Sequence, residues 1–143
     1  MTTRSYTLAG IAALTLWALA IPASASVTPW TVDIDLTAAS STTALLTIGL
    51  DDAATGGLDP DLGEEDLPPG EAPFAAFPVP GTLVGSLRDI RRTGPTNELT
   101  WIMNLNTSSG DYPITVAWAL PAGFPADGTI RIRDAAGTAL DAN

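Results

Sequence analysis

The sequence predicts an all-β fold: an antiparallel two-sheet sandwich of immunoglobulin-like type, preceded by a cleavable signal peptide. After residue 25, short runs alternate apolar and polar residues with a period of two, which is typical of strands with one buried face. No long window in this part of the sequence has helical periodicity, and polar turns separate the runs. Strands with one apolar face are expected to pack as two sheets whose outer faces meet water.

The first 25 residues have the three-part layout of a signal peptide. Arg4 is the only basic residue before an uncharged apolar run at 8–21, and the small residues at 23–25 complete a cleavage site. A bilayer-spanning helix needs about 20 apolar residues, more than this run offers, so a membrane anchor is the weaker interpretation. We therefore expect cleavage after Ala25, a secreted or cell-surface location, and no membrane insertion after cleavage.

The mature domain, 26–143, is expected to begin with a hairpin. Residues 30–37 alternate strictly, and residues 42–50 repeat the pattern after a short turn. Trp101 and Trp118 fall on the apolar faces of later strands, where they are expected to pack in the core. The further strands are expected at 81–92, 98–106, 112–120 and 129–134.

A long segment at 51–81 contains no periodic run and is rich in proline, glycine and acidic residues. Because strands of one domain precede and follow it, we interpret it as a crossover connection within the sandwich rather than an interdomain linker. Its prolines favour extended backbone. Its apolar side chains are expected to hold it against the domain; these are Leu58, Leu62, Leu67, Phe74 and Phe77.

The acidic side chains of this segment are candidate calcium ligands, because calcium prefers six to eight oxygen ligands. The stretch from Asp59 begins like an EF-hand loop but departs from it, with Gly63 at position 5 and Gly70 at position 12. An irregular site remains open, and a solvated acidic loop is the alternative. The candidate ligands are Asp51, Asp52, Asp59, Asp61, Glu64, Glu65 and Asp66.

The composition argues against several chemistries. The chain has no Cys or His, and its basic residues are all Arg, which excludes Ser-His-Asp and Cys-His nucleophiles, Lys Schiff bases and zinc held by His or Cys. A net charge of −10 disfavours nucleic acid. Asp33 and Asp35 share one strand face and leave a carboxylate hydrolase open, although such pairs are usually the wet side of a sheet. We expect no enzyme, no catalytic residue and no cofactor, calcium being the one candidate ion.

Several short motifs follow one another in a distinctive order: Ile48-Gly49, residues 52–55, Gly57-Leu58-Asp59 and Leu67-Pro68-Pro69, and then residues 87–91 and 112–120. In this order they resemble a β-sandwich module of bacterial secreted and cell-surface proteins, found in multi-domain proteins with C-terminal sorting regions. The resemblance covers roughly residues 27–140, with Leu58 where the family has an aromatic residue.

The resemblance implies an extracellular structural or adhesive role without catalytic residues, and partners among other domains of the same protein or cell-surface proteins. In that family another strand pair generally follows. Because residues 134–143 begin a new hairpin, we expect the domain to be truncated at its C-terminus; a short final edge strand is the alternative. The expected function is a non-catalytic extracellular structural or interaction module, with a calcium- or carbohydrate-binding accessory module as the alternative and polysaccharide as its partner.

Overall fold

The computed structural model describes residues 3–8, 13–18, 28–68, 74–92 and 99–134, the first two segments as backbone only. These residues form two β-sheets, and their helical content is limited to short 3-10 turns at Pro60–Leu62 and Ser109–Asp111. The all-β prediction is therefore confirmed. Within the described residues, no helix is long and apolar enough to cross a membrane.

In spatial order, the first sheet contains β1 (Thr3–Leu8), β8 (Ile114–Ala119), β3 (Trp30–Ala38), β4 (Thr43–Leu50) and β6 (Arg88–Arg91). The second contains β5 (Ala75–Ala76), β7 (Leu99–Leu105), β2 (Ala13–Ala18) and β9 (Ile130–Asp134). From β5 onward, successive strands alternate between the two sheets.

The predicted hairpin is confirmed. β3 and β4 pair antiparallel from Trp30 opposite Leu50 to Thr37 opposite Thr43. Along β3, buried and exposed residues alternate without a break, because successive side chains of a strand point to opposite faces. Ser41, in the turn, has a φ of 70°, a left-handed conformation that reverses the chain within a few residues.

The expectation of purely antiparallel sheets is wrong at one place. β4 and β6 are parallel, with Thr47 opposite Arg88 and Leu50 opposite Arg91. Parallel neighbours cannot be joined by a tight turn and require a long crossover. Residues 51–87 supply that crossover and pass through β5 of the second sheet on the way. The strand expected at 81–92 is shortened to β6, since Gly81 and Gly85 adopt φ values of 82° and 121° before it.

Buried side chains from both sheets form one apolar cluster. Trp101 of β7 is fully buried and meets Trp30 of β3 edge to face, with ring centres 6.3 Å apart. Trp118 is 5% exposed, which confirms the core positions expected for Trp101 and Trp118. Phe77 is also fully buried in this cluster, and Phe74 packs against it, so the two aromatic residues anchor the end of the crossover.

β1 and β2 lie inside the segment predicted to be a signal peptide and belong to the uncleaved chain. The cleavage site predicted at 23–25 lies outside the described residues, and so do residues 135–143 of the hairpin expected at the C-terminus. Both of these predictions stay open.

Substituting Gly49→Ala should lower the stability of the domain by about 1–3 kcal/mol, the usual cost of overpacking a core. Gly49 lies in β4 between β3 and β6, and a Cβ there would be 2.7 Å from the Trp30 carbonyl oxygen and 2.7 Å from Ile90 Cδ1. Urea unfolding measures the change.

The matched control is Gly56→Ala, since no atom lies within 4 Å of a Cβ at Gly56. This exposed change should alter the free energy of unfolding by less than about 0.5 kcal/mol. Equal stabilities for the two variants would contradict the close packing around Gly49.

Candidate functional site

The residues singled out as candidate ligands lie in one segment, here called the acidic loop (residues 51–68). Its first half is organised by carboxylates that accept backbone hydrogen bonds. Asp51 Oδ1 accepts from the Ala53 N–H at 2.8 Å. Asp59 accepts from both the N–H of Thr55 at 2.7 Å and its hydroxyl at 2.8 Å. These are local turns of the kind that Asp side chains form with their own backbone.

A 3-10 turn at 60–62 then reverses the loop. Pro60 begins the turn, where its missing N–H is not needed and its fixed φ suits the conformation. Gly63 ends it with a φ of 79°, and its N–H donates to the Pro60 carbonyl at 2.9 Å. This left-handed residue directs the following side chain, Glu64, back towards the sheet.

Glu64 is the buried carboxylate of the acidic loop, with 1% of its surface exposed. Its Oε1 accepts a short hydrogen bond from the Ile90 N–H, and its Oε2 accepts from the Asp59 N–H at 2.7 Å. Burial raises the pKa of Glu64 above its ordinary value; the two backbone hydrogen bonds oppose that rise, and the nearby charges of Asp89 and Asp59 add to it.

The hydrogen bond to Ile90 closes the edge of the first sheet. β6 is the last strand of that sheet, and in a parallel pair alternate N–H groups point away from the neighbour. Glu64 accepts the outward N–H of Ile90, and Ser86 Oγ accepts that of Arg88 at 3.1 Å. Exposed edges invite pairing with other chains, so these side chains protect the sheet.

The end of the acidic loop is fixed to residues 83–85. Asp66 accepts hydrogen bonds from the Leu83 N–H at 3.0 and 2.9 Å and from the Val84 N–H at 3.4 Å. The Leu67 N–H donates to the Gly85 carbonyl at 2.9 Å. The acidic loop is therefore held at both ends and in its middle by backbone N–H groups.

A charged group absent from the sequence-based site joins the two sheets beside the acidic loop. Arg91 of β6 forms a two-pronged ion pair with Asp89, with N–O distances of 3.0 and 2.7 Å, and donates to the Thr100 carbonyl of β7 at 2.6 Å. The Trp101 indole donates to the Asp89 carbonyl at 3.0 Å, and the Arg91 guanidinium lies 5.8 Å from the Trp101 ring centre. Three arginines in 88–92 of an acidic chain were the sequence signal for this group.

Clefts flank the acidic loop. One, of about 470 Å³, runs between residues 54–57 and 78–80 and has Arg91 and Arg92 in its wall. Another, of about 340 Å³, lies between Trp30, Asp51 and Arg88. Trp30 is 4% exposed and touches Phe124 with ring centres 5.0 Å apart, so it does not offer a free face on which a sugar could stack.

The seven candidate calcium ligands differ in their hydrogen bonds and in their exposure. Asp51, Asp59, Glu64 and Asp66 accept the backbone hydrogen bonds described above, whereas Asp52, Asp61 and Glu65 are exposed. In the part of the chain that the structure describes, no group of three or more acidic side chains is placed to hold a metal ion. Calcium binding stays a hypothesis, which titration of the protein with calcium would test.

The carboxylates considered for hydrolysis, Asp33 and Asp35, are both exposed on β3. Asp33 Oδ1 accepts a hydrogen bond from the hydroxyl of Thr47, its cross-strand neighbour on β4, at 2.7 Å. This is the polar outer face of the sheet that the alternation indicated.

No protein-family model, curated protein or solved structure matches this chain. The likeness to the secreted β-sandwich module therefore stays a prediction.

Substituting Glu64→Ala should destabilise the domain by about 2–4 kcal/mol, because two backbone N–H groups lose a charged acceptor. Chemical denaturation of purified protein measures the change. Glu65→Ala is the matched control: Glu65 is the exposed neighbour, and its truncation should cost less than about 0.5 kcal/mol. Similar losses for both variants would contradict the anchoring role of Glu64.

The stability contributed by Glu64 should decrease as the pH rises. Because burial raises its pKa, the folded protein binds this proton more tightly than the unfolded chain does. The part of the stability that depends on this proton is complete below the ordinary carboxyl pKa and is lost as the pH rises through the raised pKa of the folded state, whereas the hydrogen bonds from the Ile90 and Asp59 N–H groups remain.

Glu64→Gln does not titrate and isolates this effect from that of the other carboxylates. The free energy of unfolding of the unsubstituted protein, minus that of Glu64→Gln, should fall between acidic and neutral pH. A difference that rises over this interval would show that the pKa of Glu64 is lowered.

Proposed function

We propose that this chain is an exported protein whose mature part is a non-catalytic structural or interaction module, an immunoglobulin-like β-sandwich of a secreted or cell-surface protein. The leader-like sequence of residues 1–25 supports export. The two sheets with a shared apolar cluster support the sandwich. Its partners would be other domains of the same protein or cell-surface proteins.

The observation that supports a structural role is the hydrogen bonding of the carboxylates in the acidic loop. The carboxylates of Glu64, Asp59 and Asp66 accept hydrogen bonds from backbone N–H groups of the loop and of the segment leading into β6. An acidic segment used in this way stabilises a sheet edge and a long crossover. Long ordered loops are often functional, so the exposed rim of the acidic loop is the proposed contact surface.

Calcium or carbohydrate binding by an accessory module is the alternative. Calcium would need at least three of the candidate carboxylates to converge on one point, and the described residues contain no such group. Carbohydrate binding usually relies on an exposed aromatic face, and Trp30, Trp101 and Trp118 are all buried. Neither ligand gains a specific observation in its favour.

Expression of the whole gene in a secreting bacterium should release a product that begins at Ser26. N-terminal sequencing of the protein from the medium identifies the first residue. The control is Ala23→Leu together with Ala25→Leu, which removes the small residues of the cleavage site and should keep the product cell-bound and uncleaved. An unprocessed, intracellular product of the unsubstituted gene would contradict the proposal.

The same released protein separates the structural module from the calcium-binding alternative. A structural module should keep its melting temperature when millimolar calcium is added. Calcium would raise this temperature only if the folded state bound the ion more tightly than the unfolded chain does. A rise in melting temperature that disappears in Asp51→Asn would favour calcium.

A further inference from the structure

β2 occupies an interior position in the second sheet. It lies between β7 and β9 and is antiparallel to both, with six of its residues paired to β7 and five to β9. Among the described strands, β2 is the only hydrogen-bonded neighbour of β9. The continuity of this sheet therefore depends on a segment from the first 25 residues.

Removal of the leader, on which this inference rests, takes β2 away. β7 then keeps only its short pairing with β5, through Ala75 and Ala76, and β9 keeps no strand neighbour among the described residues. The gap between β7 and β9 would be about 10 Å wide, because it corresponds to two strand spacings. Both of its sides carry rows of backbone N–H and C=O groups that need partners.

The inner side of this gap is apolar. The β2 position opposite Trp101 on β7 is also opposite Ile132 on β9, and the position opposite Met103 lies two residues before it. Trp101, Met103 and Ile132 are at most 3% exposed in the uncleaved chain. A replacement strand would therefore need apolar residues at these two inner positions to keep the core dry.

The outer side of the gap has a positive neighbour. The β2 position opposite Arg131 on β9 is also opposite Thr100 on β7, and Arg131 is exposed. Opposite charges on neighbouring strands attract, so an acidic residue fits this outer position. The register thus specifies a strand that alternates apolar inner residues with an acidic outer residue.

We propose that, after leader cleavage, the gap between β7 and β9 binds an extended segment of another polypeptide as a replacement strand. The segment runs antiparallel to both strands, with apolar residues facing the core and an acidic residue beside Arg131. The backbone ladders on both sides supply affinity, and the inner pockets and Arg131 supply selectivity, as in other strand-addition complexes. The uncleaved chain demonstrates the fit, since its own residues 13–18 fill the gap.

The test uses the protein released into the medium, after N-terminal sequencing. A product that begins at Met1 would contradict leader cleavage, and with it both the proposed function and this inference. With a product that begins at Ser26, the peptide experiments test only whether the gap between β7 and β9 binds a strand. The probe is a synthetic peptide of residues 11–20 carrying Trp17→Glu, with polar ends for solubility. The control is the same peptide with Leu16→Pro, since proline lacks the N–H that a ladder requires.

The glutamate peptide should slow hydrogen exchange at β7 and β9 amides and raise the melting temperature, and the proline peptide should do neither. A released product that folds only when the glutamate peptide is added also supports the proposal. The proposal would be overturned if the β7 and β9 amides were as protected from exchange without peptide as with the glutamate peptide. It would also be overturned if the glutamate and proline peptides had equal effects.

A charge reversal tests the register. Arg131→Glu should weaken binding of the glutamate peptide by about tenfold, because a cross-strand attraction becomes a repulsion. A peptide with Trp17→Lys should bind the Arg131→Glu protein better than it binds the unsubstituted protein. Lack of any effect of the reversal on either peptide would reject the assigned register.

Discussion

The hydrogen bond from the Ile90 N–H to the buried carboxylate of Glu64 is the contact on which the edge of the first sheet and the path of the acidic loop both depend. The two residues are 26 positions apart, and the intervening chain crosses to the second sheet and back. Burying a carboxylate is costly, and here two backbone N–H groups offset part of the cost. Glu64 therefore joins the acidic loop to the outer edge of β6.

The residues on either side of Ile90 form a second polar group, which connects the two sheets. The ion pair of Asp89 with Arg91 is reinforced by the bond from Arg91 to the Thr100 carbonyl and by the Trp101 indole. Because each donor reaches a partner on the other sheet or on its own strand, these charges can lie beside the apolar core. The group holds β6 to β7 beside the cleft that Asp89 and Arg91 line.

The distribution of acidic residues has a physical rationale. A chain with a net charge of −10 would gain little from an acidic segment that repels itself. In the acidic loop, backbone N–H groups take the place of cations as partners of the carboxylates. The same arrangement occurs at Asp111, whose pKa is lowered by hydrogen bonds from the Ser108 backbone and from the side chains of Ser40 and Ser108. The pairing of carboxylates with backbone N–H groups supports a structural role for the acidic loop.

The sequence by itself determined the all-β class, the β3–β4 hairpin and the core positions of Trp101 and Trp118. Alternation and short turns are local properties, so they can be read along the chain. The parallel pairing of β4 with β6 and the different fates of Glu64 and Glu65 were decided by the tertiary structure. Adjacent glutamates look alike in a sequence, and only the long crossover determines which one is buried against the N–H of a distant strand.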